Sequence, residues 1–366
     1  MYPWGRPDYF DLRVYRGAAQ LVLNDRSLYH ARIWQWAPFT YPPIAAIAFT
    51  PLALLPLVGD EFLVAILNVV MLFAVLALAL RLPCGRCSQA GPTQLWRSAL
   101  VPAAAAAALW LEPVTATLGY GQINLLIALL IVADLSRDET AGSKGTLIGL
   151  AAGLKLTPLI FVPYLFFSRR RRAAFVALAT FAATVAVGYA LLPSDAHTFW
   201  GGVVLDARRV GGCCLPANQS LRGAILQLFP SAGSVWLLGV ALLVAIVGVA
   251  VAILASRRGD EAMGFSRCAT TGLLVSPVSW THHWTLAVPA LLLLGVRAVC
   301  QRSRFGMIAV AGILVVGYSY LPKLMSKPGL YPRSGSPLGW TLASAIYVLI
   351  GLVALTVACT NEIRNR

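Results

Sequence analysis

Charge is nearly absent from most of this chain, and where it occurs it is gathered into short clusters between apolar stretches. Hydropathy marks eleven such stretches, roughly at 61–82, 98–112, 122–136, 145–155, 158–168, 173–192, 234–255, 267–279, 284–299, 305–321 and 338–359. Only 12% of the 366 residues are charged and 58% are hydrophobic. A soluble domain carries about 25% charged side chains, so this chain has too few to cover a water-facing surface. The expected fold class is an all-α polytopic membrane protein. A helical crossing needs about 20 residues, and several stretches are shorter. Pro102, Pro113, Pro158, Pro163, Pro277 and Pro289 interrupt them, so some helices must be broken where they line a cavity or pack inside protein.

The net charge of +15 does not point to nucleic acid, because no basic arm or aromatic-interleaved basic platform is present. The basic residues fall as Arg81, Arg86 and Arg97, a run of four at 169–172, Arg257 with Arg258, then Arg297, Arg302 and Arg304, and the tail with Arg364 and Arg366. Placing all five clusters in the cytoplasm is self-consistent with the crossings and with the excess of Lys and Arg on inner loops. The C-terminus is then cytoplasmic. The opposite face receives 1–60, 113–121, 155–158, 193–233, 280–283 and 322–337. The stretch 44–58 is apolar but short and carries Pro51 and Pro56, and is read as a dipping or interfacial segment. Met1 to Ala37 holds neither signal peptide nor span, yet contains Arg6, Arg13, Arg16, Arg26 and Arg32. A preceding first transmembrane helix is therefore expected to be missing from this sequence, a point that sequencing of the native N-terminus tests. Otherwise 1–366 reads as one membrane domain, with 1–60 a first outer loop bearing interfacial helices and 61–360 the helical bundle.

Seven cysteines cannot all pair internally. Cys84 and Cys87 form a CxxC with no second ligand pair at zinc spacing. Adjacent Cys213 and Cys214 are strained as a mutual bridge, and Cys268, Cys300 and Cys359 lie in apolar segments as packing residues.

The unusual polar residues collect on the outer face. Asp8 and Asp11 open an amphipathic stretch through Tyr15, followed by Tyr41 with the diproline Pro42 and Pro43. A polar turn runs from Gly119 to Asn124 and includes Gln122. Lys155 sits at the tip of a helical hairpin, where it either snorkels or holds a phosphate as a point charge. The long outer loop carries Asp195, Asp206, Arg208, Arg209, Asn218 and Gln219. Ser276 to Trp284 places His282 and His283 between Trp280 and Trp284. Successive residues on a helix diverge by about 100°, so one histidine as acid, base or hydrogen-bond donor is favoured over a shared metal. Glu112 and Asp134 stand near span ends, where snorkelling and function are equal readings.

The order of these motifs (Phe10, Asp11 and Leu12 with Val14 and Tyr15; Tyr41, Pro42 and Pro43; Gly121 and Gln122 with Asn124; Leu154 and Lys155 with Pro158; Asn218, Gln219 and Ser220; Ser276 and Pro277 with Trp280, His282, His283 and Trp284) resembles the family 87 glycosyltransferases of the GT-C superfamily. The resemblance extends from Asp11 to about Pro322, and within the family it is to polyprenol-phosphate-mannose-dependent α-mannosyltransferases of phosphatidylinositol mannosides and related lipoglycans. It implies a GT-C fold of about 11 transmembrane helices in a bacterial plasma membrane, with an extracytoplasmic site. It implies a polyprenyl-phospho-sugar donor, a glycolipid acceptor and inversion at the anomeric carbon. Asp11 maps onto the base, with Asp8 its rival. His282 and His283 are candidates to support the phosphate or the acceptor. Lys155, Lys323, Arg208 and Arg209 are on the right face for the donor phosphate. Asp8, Tyr15, Tyr41, Gln122, Asn124, Asn218, Gln219 and Trp280 are the candidate substrate contacts. No DxD occurs in the first outer loop, and a monophosphate leaving group can dispense with a metal, so neither a cofactor nor a divalent metal is expected. Two alternatives remain at this stage: transfer of arabinofuranose from polyprenyl-phospho-arabinose, and a lipid-linked sugar flippase. The absence of an internal repeat and the one-sided polar residues weigh against a transporter.

Overall fold

A computed structural model of the chain describes residues 7–35, 37–85, 94–212, 214–327, 329–330 and 336–364. Arg6, Arg86, Cys87, Cys213 and Arg366 lie outside the described residues. All regular structure among the described residues is helical, with two isolated bridges, Cys84 to Asp260 and Asn218 to Trp280. The first outer loop holds α1 (Phe10–Leu23), α2 (Pro43–Ala48) and α3 (Thr50–Ala53). The bundle continues with α4 (Leu57–Ala79), α5 (Gln94–Ala108), α6 (Glu112–Tyr120), α7 (Asn124–Leu135), α8 (Thr146–Leu154), α9 (Phe161–Phe167) and α10 (Arg171–Leu191). The long outer loop carries α11 (Pro193–Gly201) and α12 (Leu221–Leu228). The last third consists of α13 (Ser234–Arg257), α14 (Glu261–Val275), α15 (Ala287–Cys300), α16 (Arg304–Ser319), α17 (Leu321–Met325), α18 (Leu338–Ser344) and α19 (Ile346–Arg364).

The polytopic, all-helical class is thus what the sequence leads one to expect, and the apolar stretches differ in the length and continuity of their helices. Among the described residues, six helical segments are long and apolar enough to cross singly, and residues Ser98–Ala108 with Glu112–Tyr120 make a seventh if counted as one span bent by 71°. The reason is local. Glu112 and Pro113 restart the helix after the bend, Pro158 opens a 3-10 turn between α8 and α9, and Lys155 ends α8. Each break leaves a short helix buried against its neighbours. The stretch 44–58 forms no single helix: Pro51 and Pro56 divide it into α2, α3 and the start of α4.

The N-terminal loop region has its own apolar core. Helix α1 buries Leu12, Tyr15 and Ala19 on one stripe and Val14 and Ala18 beside it, the spacing of an amphipathic helix. Val14, Tyr15, Ala18 and Ala19 pack on Leu28, Phe39, Ala46, Phe49 and Phe199, and Tyr15 stacks on Phe49 with ring centroids 4.4 Å apart. Two ion pairs tie α1 to the start of α4: Arg13 with Glu61 at 2.9 Å, and Arg16 with the fully buried Asp60. Arg13 and Arg16, anomalous for a loop expected on the outer face, are neutralised by partners on the neighbouring helix.

Candidate active site

Helix α1 delivers Asp11 in its first turn, where the helix dipole favours a negative side chain. Asp8 sets the helix start by accepting from the Phe10 N–H at 3.1 Å. The Tyr9 N–H donates to the Gly119 carbonyl at 3.0 Å, which docks the head of α1 on the end of α6. Gly121 allows this approach. It terminates α6 at φ 65°, and a Cβ there would stand 2.7 Å from the Leu12 Cβ. The same turn projects Gln122 under Asp11.

Gln122 is the hub of a buried polar net. Its Oε1 accepts from the Tyr15 hydroxyl at 2.7 Å. Its Nε2 lies 3.2 Å from the Tyr41 hydroxyl, which is 2.9 Å from that of Tyr15. The amide also hydrogen-bonds the Asp11 carboxylate. Lys155 approaches from the α8 terminus. Its Nζ donates to Asn124 Oδ1 at 3.0 Å, sits 5.7 Å from the centre of the Tyr41 ring, and acts electrostatically on Asp11. Burial pushes the Asp11 carboxyl from 3.8 up to about 7, against the Gln122 hydrogen bond and the Lys155 charge, which both lower it, and with a small upward push from Asp8. A group poised near neutrality suits a general base.

The histidine turn forms the facing wall. The His282 carbonyl accepts from Asn124 Nδ2 at 2.9 Å, from Thr117 at 3.1 Å and from Thr285 at 2.7 Å. Its ring meets Tyr120 edge-on at 5.2 Å, and its buried Nε2 has no hydrogen-bond partner among the described residues. His283 lines a small cavity of about 30 Å³ together with Lys155, Asn124 and Ser279. Both histidines lie within electrostatic range of Lys155. Lys323, half-buried on α17, faces Asp8 and Glu112. Asp8, Asp11 and Glu112 all act on the Tyr120 hydroxyl, so the acids, two lysines and the histidine turn share one region.

The other expected site residues have different surroundings. Gln219 is fully buried; its Nε2 donates to the carbonyls of Pro216 and Ser344, and its Oε1 accepts from the Tyr347 N–H at 2.9 Å. Asn218 accepts from the Ser279 N–H at 2.9 Å. Together they fasten the long loop to the histidine turn and to α19. Their side chains brace the wall and do not line the Asp11 net. Trp280 pairs with Asn218 and covers Gly211, where a Cβ would stand 2.8 Å from its ring. Arg209 donates to the Tyr29 carbonyl at 2.8 Å. Arg208 is 87% exposed and bonds Asp206 at 3.1 Å, outside the buried net.

Glu112 is the residue that sequence reasoning undervalued. Its side chain is fully buried and accepts from the Tyr347 hydroxyl at 2.9 Å. The available signal was an acid inside a long apolar run, which in a membrane is expensive unless it serves a purpose.

A buried carboxylate with an amide and two lysines near it, inside a polytopic helical bundle, is an arrangement suited to group transfer at a membrane. The sequence profile of Glycosyltransferase family 87 matches residues 39–277, and the chain belongs to that family. It is 31% identical, across 96% of its own length and 84% of the relative's, to a Mycobacterium tuberculosis polyprenol-phosphate-mannose-dependent alpha-(1-2)-phosphatidylinositol mannoside mannosyltransferase. The Mycolicibacterium smegmatis protein of the same description is 33% identical, with 98% and 87% covered. A second M. smegmatis protein, described as the corresponding pentamannoside mannosyltransferase, is 31% identical, with 95% and 84% covered. No solved structure matches the chain.

Proposed function

We propose that the protein transfers mannose from a polyprenyl-phosphate donor to a phosphatidylinositol-mannoside-type glycolipid, forming an α-mannoside with inversion, on the extracytoplasmic face. The observation that carries this reading is the Asp11 carboxylate, held by Gln122 beside Lys155 with its proton affinity raised to about neutral. The relatives' descriptions supply the sugar, the donor and the acceptor class.

In this mechanism one Asp11 oxygen takes the proton of the acceptor hydroxyl as that oxygen attacks the anomeric carbon. The bond from carbon to the phosphate oxygen breaks, and the polyprenyl phosphate departs with the electron pair. A single displacement of this kind needs one carboxylate base and inverts the centre. The growing phosphate charge is met by Lys155 and Lys323, fixed cations whose attraction strengthens where water is scarce. The unpartnered Nε2 of His282 supplies a further polar contact at this wall. Two lysines facing a monophosphate leave no electrostatic requirement for a divalent ion, so the reaction is metal-independent.

Purified protein in lipid, given a short polyprenyl-phospho-mannose and phosphoinositol mannosides, adds mannose by mass spectrometry, retains that activity in EDTA, and loses it in Asp11→Asn. Absence of mannose transfer by the wild type, with transfer from polyprenyl-phospho-arabinose instead, overturns the donor assignment. Loss in EDTA restored only by Mg²⁺ or Mn²⁺ overturns the metal-independent mechanism.

A further inference from the structure

A buried hydroxyl without a partner costs free energy unless something supplies one, and Ser279 carries such a hydroxyl beside Lys155. The residue is 1% exposed. Its backbone is fully used: the N–H donates to Asn218 Oδ1 at 2.9 Å, and the carbonyl accepts from the Gln219 N–H at 2.7 Å. Its Oγ has no hydrogen bond among the described residues. Ser279 lines the small cavity of about 30 Å³ that Asn124, Lys155 and His283 also line.

The other polar groups at this cavity are only partly committed. Asn124 gives its Nδ2 to the His282 carbonyl at 2.9 Å, and its Oδ1 accepts from Lys155 Nζ at 3.0 Å. An ammonium has three protons to donate, and this bond takes one. The His283 N–H donates to the Trp280 carbonyl at 2.8 Å, which fixes its backbone, and its ring meets that of His282 edge-on at 4.7 Å. A neutral imidazole offers one acceptor nitrogen. A volume of about 10–15 Å³ suffices for a water, which typically makes three hydrogen bonds to buried polar groups. The cavity has that room, and Lys155, Ser279 and His283 supply that number of partners. The rest of its wall is mostly apolar, with Phe161 and Ala269 upon it.

We propose that this cavity is a water site, and that Ser279 is a positioning residue which acts through that water on Lys155. The water accepts from Lys155 Nζ and donates to Ser279 Oγ and to the acceptor nitrogen of His283. The proposal rests on the phosphate role proposed for Lys155. A lysine carries its charge on a flexible four-carbon stem, and Asn124 holds that charge at one point. A second tether from a different element, the turn before α15, fixes the ammonium in direction as well as in distance. Ser279 is itself held by Asn218 and Gln219, so the brace of the long loop reaches Lys155 through one hydroxyl and one water. The Asn218 and Gln219 motif thereby serves the site without touching substrate.

The first test is a density map of the wild-type protein in nanodiscs, at a resolution that shows ordered water. Density within hydrogen-bond reach of Lys155 Nζ and Ser279 Oγ is expected, and an empty cavity overturns the proposal. The second test is Ser279→Ala. With the water in place this variant has a lower melting temperature, whereas loss of a hydroxyl from a dry cavity raises it and rejects the site. Binding of polyprenyl monophosphate in nanodiscs should weaken about fivefold in Ser279→Ala, and no further when Ser279→Ala is added to Lys155→Met. Unchanged binding in the single variant, or an undiminished loss in the Lys155→Met background, overturns the positioning role. Should Ser279→Ala not fold, Ala269→Val fills the cavity and leaves every polar side chain in place. The same loss of binding then supports the proposal, and wild-type binding overturns it. These readouts separate the idea from the proposed function. If the wild type binds polyprenyl monophosphate but transfers no mannose, the proposed reaction fails and the binding cycle still decides the role of Ser279. If it does not bind that ligand, the Lys155 role falls with the donor reading, and the map still decides the water site.

Discussion

Asp11 is held between opposing influences, and each can be changed by one substitution. A base works only when deprotonated, so kcat/KM falls as pH drops through about 7. Removing the Gln122 donor with Gln122→Leu takes away a stabiliser of the carboxylate and moves the acid limb toward alkaline pH. Lys155→Met moves it the same way. Asp8→Asn removes a repelling charge and moves it toward acid. Initial rates across pH 5–9 check all three directions, and a limb that ignores Gln122 and Lys155 would assign the titration to another group. Stability follows the same shift with its own sign. The folded protein holds the Asp11 proton more tightly than the unfolded chain does, so the contribution is complete below about 4 and is lost as pH rises through about 7. Asp11→Asn should therefore abolish turnover yet raise the melting temperature at pH 8, with the gap closing as pH is lowered toward 4. A lower melting temperature at pH 8 would contradict the burial that underlies the base. Asp11, Gln122 and Lys155 were legible in the sequence through the ordered motifs that resemble the family's, and the structure brings the three side chains together. The residues that hold them were less so. The partners of Arg13 and Arg16 lie more than forty positions away, and Asn218 and Gln219 read as ligand contacts because an exposed polar motif and a buried brace have the same composition.

At the scale of elements, the site depends on how closely α1 can lie on the end of α6. Gly121 permits that approach twice over, by its left-handed φ and by its missing Cβ. Gly121→Ala imposes a backbone conformation that L-residues adopt at a cost of order 1–3 kcal/mol, and it drives a methyl group into Leu12. The expected outcome is a lower melting temperature together with a loss of turnover of at least tenfold, because Asp11 and Gln122 sit on the two sides of this contact. Retention of wild-type kcat with lowered stability would show that the site tolerates the displacement. The Arg16 pair with Asp60 tests the other end of α1. Asp60→Asn removes the fully buried member of the pair and leaves the half-buried Arg16 without its counter-charge, and breaking a buried pair costs about 3 kcal/mol or more. Thermal unfolding in detergent should show this variant as more damaged than Glu61→Gln, whose partner Arg13 is 25% exposed and whose carboxylate is 21% exposed. Equal losses would place the anchoring elsewhere. This part of the fold shows why hydropathy alone does not set the number of crossings. Apolar composition marks burial in protein as well as burial in lipid, and Pro51, Pro113 and Pro158 turn several stretches into short helices that pack around the site.

At the scale of the whole molecule, the arginine clusters and the catalytic candidates occupy different ends of the helices, and this separation makes the proposed sidedness testable. The run at 169–172 opens α10, Arg257 closes α13, Arg297 lies in the last turn of α15 and Arg304 opens α16. Lys155 at the C-terminus of α8, the histidine turn before α15 and Lys323 after α16 lie at the opposite ends. In the orientation proposed above, with the arginines retained in the cytoplasm, Asp11 and both lysines lie outside, within reach of a lipid-linked sugar in the outer leaflet. Leu205 is 85% exposed on the long loop, and Arg304 is exposed at the start of α16. In a cysteine-free background, Leu205→Cys should react with a membrane-impermeant maleimide on intact spheroplasts, while Arg304→Cys should react only after permeabilisation. The reverse pattern would put the acids in the cytoplasm and remove the outer-leaflet donor from the mechanism. Labelling of both positions on intact cells would instead break the parity of the crossings between them, and one of α13, α14 and α15 would then not cross.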